Sequence, residues 1–242
     1  MKSSRYSEID LLPGESIDDF MDGRLKLIQS KTGYRFSIDA ILLSEFATIK
    51  EGDTVADLGI GCGIIPLLLF LTKPVGYAFG LEIQDVLVNQ TARNIRLNGL
   101  SQKMSVVQGD IRNPPLKPGS ADVVICNPPY RKKESGRINP DRQRAIARHE
   151  IMASLDDILG AAGYILNSRG RLAMIYPAER LVDLLLRMRS SGMEPKRLRI
   201  IYPGMESGAK LAMVEASRGG RSGLKILPPL VGQGDYAIRD QS

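Results

Sequence analysis

The sequence is poor in the two residue types that most often form disulfides or bind metal ions. It contains two cysteines, Cys62 and Cys126, and one histidine, His149. The cysteines have no CxxC spacing and no neighbouring histidine, so they indicate neither a disulfide-stabilised scaffold nor a zinc site. We therefore expect no bound metal and a reducing, cytoplasmic setting. Base catalysis by histidine would depend on His149, for which we prefer a structural or helix-capping role.

The sequence also lacks a long apolar run. The longest run, Ile64 to Leu71, has eight residues and is interrupted by Pro66, whereas a membrane-spanning helix needs about 20. The first ten residues are largely polar and include acidic side chains, which is atypical of a signal peptide. We therefore expect neither a signal peptide nor a membrane span.

The chain has enough apolar residues for one substantial core. It has 242 residues, of which 43% are hydrophobic, and this favours one catalytic domain over two small ones. We expect an appendage at 1–50, with a strand at 25–29 and a covering helix at 38–48, and a catalytic domain at 51–242. In that domain, the pattern predicts strands at 54–59, 77–83, 104–110, 121–129, 171–177, 196–203 and 211–217, and helices at 63–72, 85–97, 150–166 and 178–190. Such alternation favours a mostly parallel sheet covered on both faces.

A glycine-rich segment, Asp57-Leu58-Gly59-Ile60-Gly61-Cys62-Gly63, closes the first strand of that domain and opens a helix. Glycines at such a turn let the backbone approach a nucleotide-like ligand. Glu82 ends the next predicted strand about twenty residues later, where a carboxylate can accept both ribose hydroxyls of an adenosyl group. Asp110 ends the third predicted strand, within reach of an adenine amine. The segment therefore predicts an adenosyl-binding site.

The spacing of the glycine loop, residues 57–63, disfavours other nucleotide ligands. The loop lacks the lysine of a GxxxxGK(S/T) motif, which disfavours ATP and GTP. NAD is the second choice, but its fingerprint is GxGxxG and here the third glycine, Gly63, comes one position early. A plain tight turn is disfavoured because polar residues recur at three consecutive predicted strand ends.

The motif Asn127-Pro128-Pro129-Tyr130 follows the fourth predicted strand. An amide or aromatic amine nitrogen is a poor nucleophile because its lone pair is delocalised. The Asn127 side-chain carbonyl and the Pro128 backbone carbonyl can accept from its two N–H bonds and direct the lone pair toward a methyl donor. The prolines keep these acceptors in place, and Tyr130 offers a face for stacking. The motif predicts N-methyl transfer, with a proline-rich turn as the alternative.

With these residues the chain resembles the class I S-adenosylmethionine-dependent methyltransferases, which carry D-x-G-x-G-x-G and Asn/Asp/Ser-Pro-Pro-aromatic motifs. The resemblance spans residues 53–217. It implies a doubly wound, Rossmann-like α/β fold with a seven-stranded sheet, mostly parallel with an antiparallel last strand. Segments 33–47, 142–150 and 227–230 further resemble the bacterial subfamily related to the enzyme that N6-methylates an adenine in a valine tRNA.

The resemblance implies two sets of site residues. The set expected to bind the cofactor, S-adenosyl-L-methionine, is Asp57, Gly59, Gly61, Glu82 and Asp110. The set expected to bind the target amine is Asn127, Pro128 and Tyr130. Phe36 and Asp39 are expected to close over the methionine end of the cofactor. For Asp39, a plain place in the first turn of a helix, where a carboxylate favours the helix dipole, explains the residue equally well.

The charge balance favours a polyanionic partner. The chain has 33 Lys and Arg against 27 Asp and Glu, for a net charge of +6. The segment 131–148, which begins with Arg131, Lys132 and Lys133, holds seven of the basic residues and two acidic ones. It would border the substrate entrance and bind RNA, with a solvated connection as the alternative. A second basic cluster, which would extend this surface, is Arg187, Arg189, Lys196, Arg197 and Arg199.

Together these features favour an RNA adenine-N6 methyltransferase, with tRNA as the preferred substrate, because RNA-binding proteins read unstacked bases. A protein glutamine-N5 methyltransferase uses the same two-acceptor geometry, but residues 1–50 are too short for the helical substrate-binding domain of those enzymes. A small-molecule amine, a DNA substrate and a non-catalytic nucleic-acid-binding module remain alternatives. The sequence does not determine the oligomeric state.

Overall fold

The computed structural model describes residues 11–32, 35–128 and 153–232. The motif residues Pro129 and Tyr130 therefore lie outside the described residues, as does the segment 129–152 to which they belong.

The described chain begins with an antiparallel hairpin of two strands, β1 (Glu15–Phe20) and β2 (Leu25–Ser30). β2 confirms the strand predicted at 25–29. The sequence pattern does not predict β1, because three of its six residues are acidic and such residues are rare in strands. The turn between the strands contains Met21 and Asp22 with φ of 52° and 57°. These left-handed conformations close the hairpin.

From residue 38 onward, helices and strands alternate as predicted. The first helix, α1 (Ile38–Phe46), ends at Phe46 rather than at residue 48, because Ala47 leaves the helical region at ψ 132°. It is followed by β3 (Thr54–Leu58), α2 (Ile64–Thr72), β4 (Tyr77–Glu82), α3 (Asp85–Leu97), β5 (Met104–Gln108) and β6 (Ala121–Cys126). The later elements are α4 (Leu155–Ile165), β7 (Leu166–Pro177), a short 3-10 helix (Ala178–Arg180), α5 (Leu181–Ser190), β8 (Met193–Tyr202), β9 (Leu211–Arg218), β10 (Lys225–Ile226) and β11 (Leu230–Val231).

Two strands begin earlier than the sequence pattern predicts. β7 begins at Leu166 rather than Arg171, and β8 begins at Met193 rather than Lys196. Gly170 and Pro195 lie in these added segments and are residues typical of turns and strand ends. Each segment contains an irregularity in its strand pairing, which accommodates the residue within the strand.

The large sheet has the strand order β10-β8-β9-β7-β6-β3-β4-β5, with β11 also paired to β8. β9 runs antiparallel to both β7 and β8, and the other pairs are parallel. This confirms a mostly parallel sheet whose last long strand is antiparallel. The sheet contains nine strands in the described part of the chain rather than seven, because the two-residue strands β10 and β11 pair with the outer edge of β8.

Both faces of the sheet are buried. One face packs against α1, α2 and the hairpin strand β2, and the other packs against α4 and α5. Side chains alternate between the two clusters along β3, with Val55 in the first and with Ala56 and Leu58 in the second. This burial on both sides is why the parallel strands are nearly continuous apolar runs in the sequence.

Candidate active site

Four neighbouring parallel strands end at the same edge of the sheet. Leu58 at the end of β3 is paired with Leu81 of β4 and with Cys126 of β6, and Glu82 is paired with Gln108 of β5. The segments that follow these strands therefore meet at one edge, which we call the carboxyl edge. In an open α/β sheet, ligands bind in the crevice outside this edge.

The glycine loop leaves β3 at the carboxyl edge and leads directly into α2. The backbone φ angles of Gly59, Gly61 and Gly63 are 77°, 59° and 88°, in a region that residues other than glycine rarely adopt. The N–H groups of Gly59 and Ile60 both donate to the carbonyl of Leu81, at 2.8 and 3.2 Å. The loop is thus held against the end of β4.

Glu82 is buried at the end of β4 and holds the backbone around it. Its Oε2 accepts from the Gly61 N–H at 3.1 Å, and its Oε1 accepts from the N–H groups of Ile83 and Gln84, both at 3.0 Å. A carboxylate offers about four lone-pair sites, so this arrangement leaves room for one strong bond from a ligand. Binding of two ribose hydroxyls by Glu82 stays a prediction. The remaining lone-pair site accommodates one of these two hydrogen bonds directly.

Asp57 is the second buried carboxyl group of the site and lies within β3. It is 2% exposed, and its Oδ2 has no hydrogen-bond partner among the described residues. Burial, together with the nearby charge of Glu82, raises the pKa of Asp57 to about 8. A buried polar atom without a partner is unusual in a native protein, and here it indicates a place where a polar ligand group fits.

Asn127 and Pro128 follow β6, next to the glycine loop. Asn127 is half-buried and Pro128 is buried. The thiol of Cys126 donates to the carbonyl of Leu58 at 3.4 Å, which joins the ends of β6 and β3. The strand order therefore brings the candidate acceptors beside the candidate cofactor loop, although they are far apart in the sequence.

Residues 37–186 match the family model described as the methyltransferase small domain. The chain belongs to this family. The tRNA1(Val) (adenine(37)-N6)-methyltransferase of Porphyromonas gingivalis is 32% identical over 177 residues, which cover 70% of this chain and 69% of that relative. The protein of the same name from Parabacteroides distasonis is 26% identical over 188 residues, covering 77% and 78%. A predicted O-methyltransferase from Agrobacterium tumefaciens has a similar fold, with a TM-score of 0.65, 20% identity and coverage of 80% and 86%. The predicted class I methyltransferase is confirmed.

Asp110 of the methyltransferase does not end a strand as predicted. β5 stops at Gln108, and the N–H of Gly109 still donates to the carbonyl of Glu82 in β4. The chain then turns at Asp110, whose carbonyl accepts from the N–H of Asn113. The Asp110 carboxylate forms an ion pair with Arg112, which lowers the pKa of Asp110. A bond from Asp110 to an adenine amine stays a prediction, and it would have to share the carboxylate with Arg112.

Phe36 and Asp39 lie at the same end of the methyltransferase as the glycine loop. Lys73, which follows α2, donates to the carbonyl of Glu45 in the last turn of α1 at 2.8 Å. Arg35, which precedes α1, acts electrostatically on Cys62 of the glycine loop, which precedes α2. Phe36 is buried and packs edge-to-face on Phe20 of the hairpin, with ring centroids 5.1 Å apart. Asp39 is half-buried in the first turn of α1, where a dipole role suffices.

Two other side chains contact the glycine loop and were not singled out by the sequence pattern. Thr91 and Asn94 of α3 donate to the carbonyls of Gly61 and Cys62, respectively. In the sequence they resemble the polar residues of an exposed helix face. The sequence signal that could have identified them is their helical spacing, which puts both on one side of α3. Where that side is buried, a polar residue needs a hydrogen-bond partner.

Three of the five cations of the second basic cluster are paired with carboxylates. Arg187 pairs with Asp156, Arg189 with Glu194, and Arg197 with Glu215. Each ion pair neutralises a positive side chain that the sequence pattern predicts to bind nucleic acid. The first basic segment, 131–148, with Arg131, Lys132 and Lys133, lies outside the described residues, as does His149.

The two cysteines of the methyltransferase are free and buried. Burial raises the pKa of the Cys62 thiol to about 12, and it raises the pKa of Cys126 as well. Both are therefore poor nucleophiles. Within the described residues, no cluster of three or more His, Cys, Asp or Glu side chains could hold a metal ion. The helices of that part of the chain are all too short or too polar to span a membrane.

Proposed function

We propose that this methyltransferase uses S-adenosylmethionine to methylate the N6 amine of an adenine in tRNA. The observation that carries the proposal is the position of Asn127 and Pro128, at the end of the strand that neighbours β3 and its glycine loop. This position supports a site in which two acceptors for an amine lie beside the bound cofactor.

The residues of the loop fit a cationic adenosyl ligand. The unpartnered Oδ2 of Asp57 and the remaining lone-pair site of Glu82 are both acidic oxygens in a buried setting. A sulfonium or ammonium group of S-adenosylmethionine beside Asp57 would favour the ionised carboxylate over the protonated form that burial favours, whereas the pyrophosphate of NAD would be repelled by the charge of Glu82. Glu82 would hold a ribose hydroxyl, and the left-handed glycines would let the backbone approach the ligand.

The cofactor supplies an electrophilic methyl group. The chain has to hold the adenine amine in the right geometry, and we assign this role to the Asn127 side-chain carbonyl and the Pro128 backbone carbonyl. Each would accept one N–H of the amine and turn the nitrogen lone pair toward the methyl group. The nitrogen becomes cationic on methylation and then loses a proton readily, so no dedicated base has to act first.

RNA as substrate is supported by the activity named for the two bacterial relatives. It is also supported by the net charge of +6 and by the basic segment that follows Tyr130 in the sequence. Tyr130 would stack on the target base, and Arg131, Lys132 and Lys133 would neutralise phosphates beside it.

The test is a comparison of tRNA nucleosides from cells with and without the gene, measured by mass spectrometry. We expect N6-methyladenosine to disappear from one tRNA and to return when the purified protein and S-adenosylmethionine are added to that tRNA. Unchanged N6-methyladenosine in every RNA fraction would contradict the proposed substrate. Methylation of a protein glutamine under the same conditions would replace it.

A further inference from the structure

Four of the six buried side chains of α3 are polar or charged. Gln90, Thr91, Arg93 and Asn94 are each at most 6% exposed, although side chains of these types are mostly found at the surface. Helical spacing puts them on the same side of α3. Buried polar groups are retained when they have hydrogen-bond partners, and the partners here lie in the glycine loop and in the hairpin.

Two of these side chains hold consecutive carbonyls of the glycine loop. The Thr91 hydroxyl donates to the carbonyl of Gly61, and the Asn94 amide donates to that of Cys62 at 2.9 Å. Gly61 is also held at its N–H, by Glu82. In a trans peptide the carbonyl and the following N–H point in opposite directions. The two bonds from α3 therefore set the direction of the next two N–H groups of the loop.

Asn94 also binds the hairpin, together with Asn98. The Asn94 amide accepts from the Ile28 N–H at 2.7 Å and donates to the Ile28 carbonyl at 3.1 Å. Asn98 does the same with Lys26, at 3.0 and 2.7 Å. Four helical residues rise about 6.0 Å and two strand residues about 6.6 Å, so the two amides match alternate residues of the strand edge. α3 thus takes the place of a neighbouring strand beside β2.

We propose that Thr91 and Asn94 are positioning residues that hold the glycine loop in its cofactor-binding conformation, and that Asn94 couples the loop to the hairpin. The proposal rests on the proposed function, in which this loop binds S-adenosylmethionine. A loop with three left-handed glycines is intrinsically free to move. Contacts that fix it before the ligand arrives lower the entropic cost of binding.

Thr91 offers a matched pair of variants. Thr91→Val keeps the shape of the side chain and removes the hydroxyl, whereas Thr91→Ser keeps the hydroxyl. Calorimetry with S-adenosylhomocysteine should show a Kd raised roughly tenfold for Thr91→Val and within about twofold of the unmodified chain for Thr91→Ser. The kinetic loss in Thr91→Val should appear mainly in the KM for S-adenosylmethionine and much less in kcat, because the bond fixes the free loop and touches no reacting atom.

Asn98 provides the control for Asn94. It contacts the hairpin in the same way and, in the described part of the chain, donates to no carbonyl of the glycine loop. Asn94→Ala and Asn98→Ala should both lower the melting temperature, but only Asn94→Ala should weaken binding of S-adenosylhomocysteine. Equal weakening in both would overturn the role of Asn94 at the loop.

The outcomes separate this inference from the proposed function. If the unmodified chain binds no S-adenosylhomocysteine, the proposed function fails. If the unmodified chain binds it and Thr91→Val binds it as tightly, only the positioning role is overturned. Should Asn94→Ala fail to fold, the Thr91 pair decides the question, because Thr91 has its loop bond without a contact to β2 among the described hydrogen bonds.

Discussion

The carboxylate of Glu82 accepts the backbone N–H of Gly61 at 3.1 Å, which ties the end of β4 to the turn that follows β3. The same carboxylate holds the N–H groups of Ile83 and Gln84. One buried side chain thus shapes both the glycine loop and the start of the next helix. Its loss should affect ligand binding in two ways, through a missing acceptor and through a loosened loop.

Glu82→Gln should therefore weaken cofactor binding. The amide nitrogen of Gln would face either the N–H of Gly61 or those of Ile83 and Gln84, and it cannot accept a hydrogen bond in either orientation. We expect the Kd for S-adenosylhomocysteine to rise roughly tenfold to a hundredfold, since bonds to charged groups contribute about 1.5–3 kcal/mol. The measurement is isothermal calorimetry. Glu51→Gln, an exposed change before β3, is the control and should bind normally. Normal binding by Glu82→Gln would contradict the assignment.

Asn127→Ala should slow turnover far more than it weakens cofactor binding. The side-chain carbonyl is assigned to the geometry of the amine as it reacts, so its loss should reduce kcat by on the order of 10²–10³. The Kd for S-adenosylhomocysteine should change little. Single-turnover methylation of tRNA and calorimetry would measure the two quantities. A loss of equal size in both would indicate that Asn127 supports the local fold instead.

Asp57 should make stability depend on pH. Its pKa is raised from 3.8 to about 8 by burial and by Glu82, so the folded chain keeps a proton that the unfolded chain releases between these values. The free energy of unfolding should therefore fall as the pH rises through this range, by up to about 1.4 kcal/mol per pH unit from this group. Urea denaturation without cofactor, repeated across this range, gives the slope. Asp57→Asn should flatten it, and an unchanged slope would contradict the pKa shift.

Reversing the charges of Arg131, Lys132 and Lys133 to Glu should weaken tRNA binding and flatten its salt dependence. Each lost phosphate contact should reduce the log–log salt slope by about 0.7–0.9. Fluorescence anisotropy at several salt concentrations measures both effects, and cofactor affinity should not change. The matched control reverses Lys103, Arg187 and Arg189, of which the last two already pair with carboxylates. Equal losses in the two triple variants would show a general charge effect rather than a local contact.

Much of the fold and part of the site follow from local sequence. The apolar runs of β3 and β6 and the helical spacing of α3 each depend on a few neighbouring residues, so the alternation of elements can be predicted from them. The glycine loop and the position of Glu82 are also identifiable, because a left-handed turn needs glycine and Glu82 closes the next apolar strand. Binding of a ribose by Glu82 stays a prediction.

The remaining features depend on contacts between distant residues. β1 is stabilised by pairing with β2 despite its acidic composition, and Arg93 of α3 forms a buried ion pair with Glu15 of that strand. Thr91 and Asn94 resemble solvent-facing residues until folding puts the glycine loop and Ile28 against them. Local sequence therefore determined the elements and the motif at the carboxyl edge of the sheet. Only the tertiary structure decided which polar groups are buried together, because burial and hydrogen-bond partners are set by segments far apart in the chain.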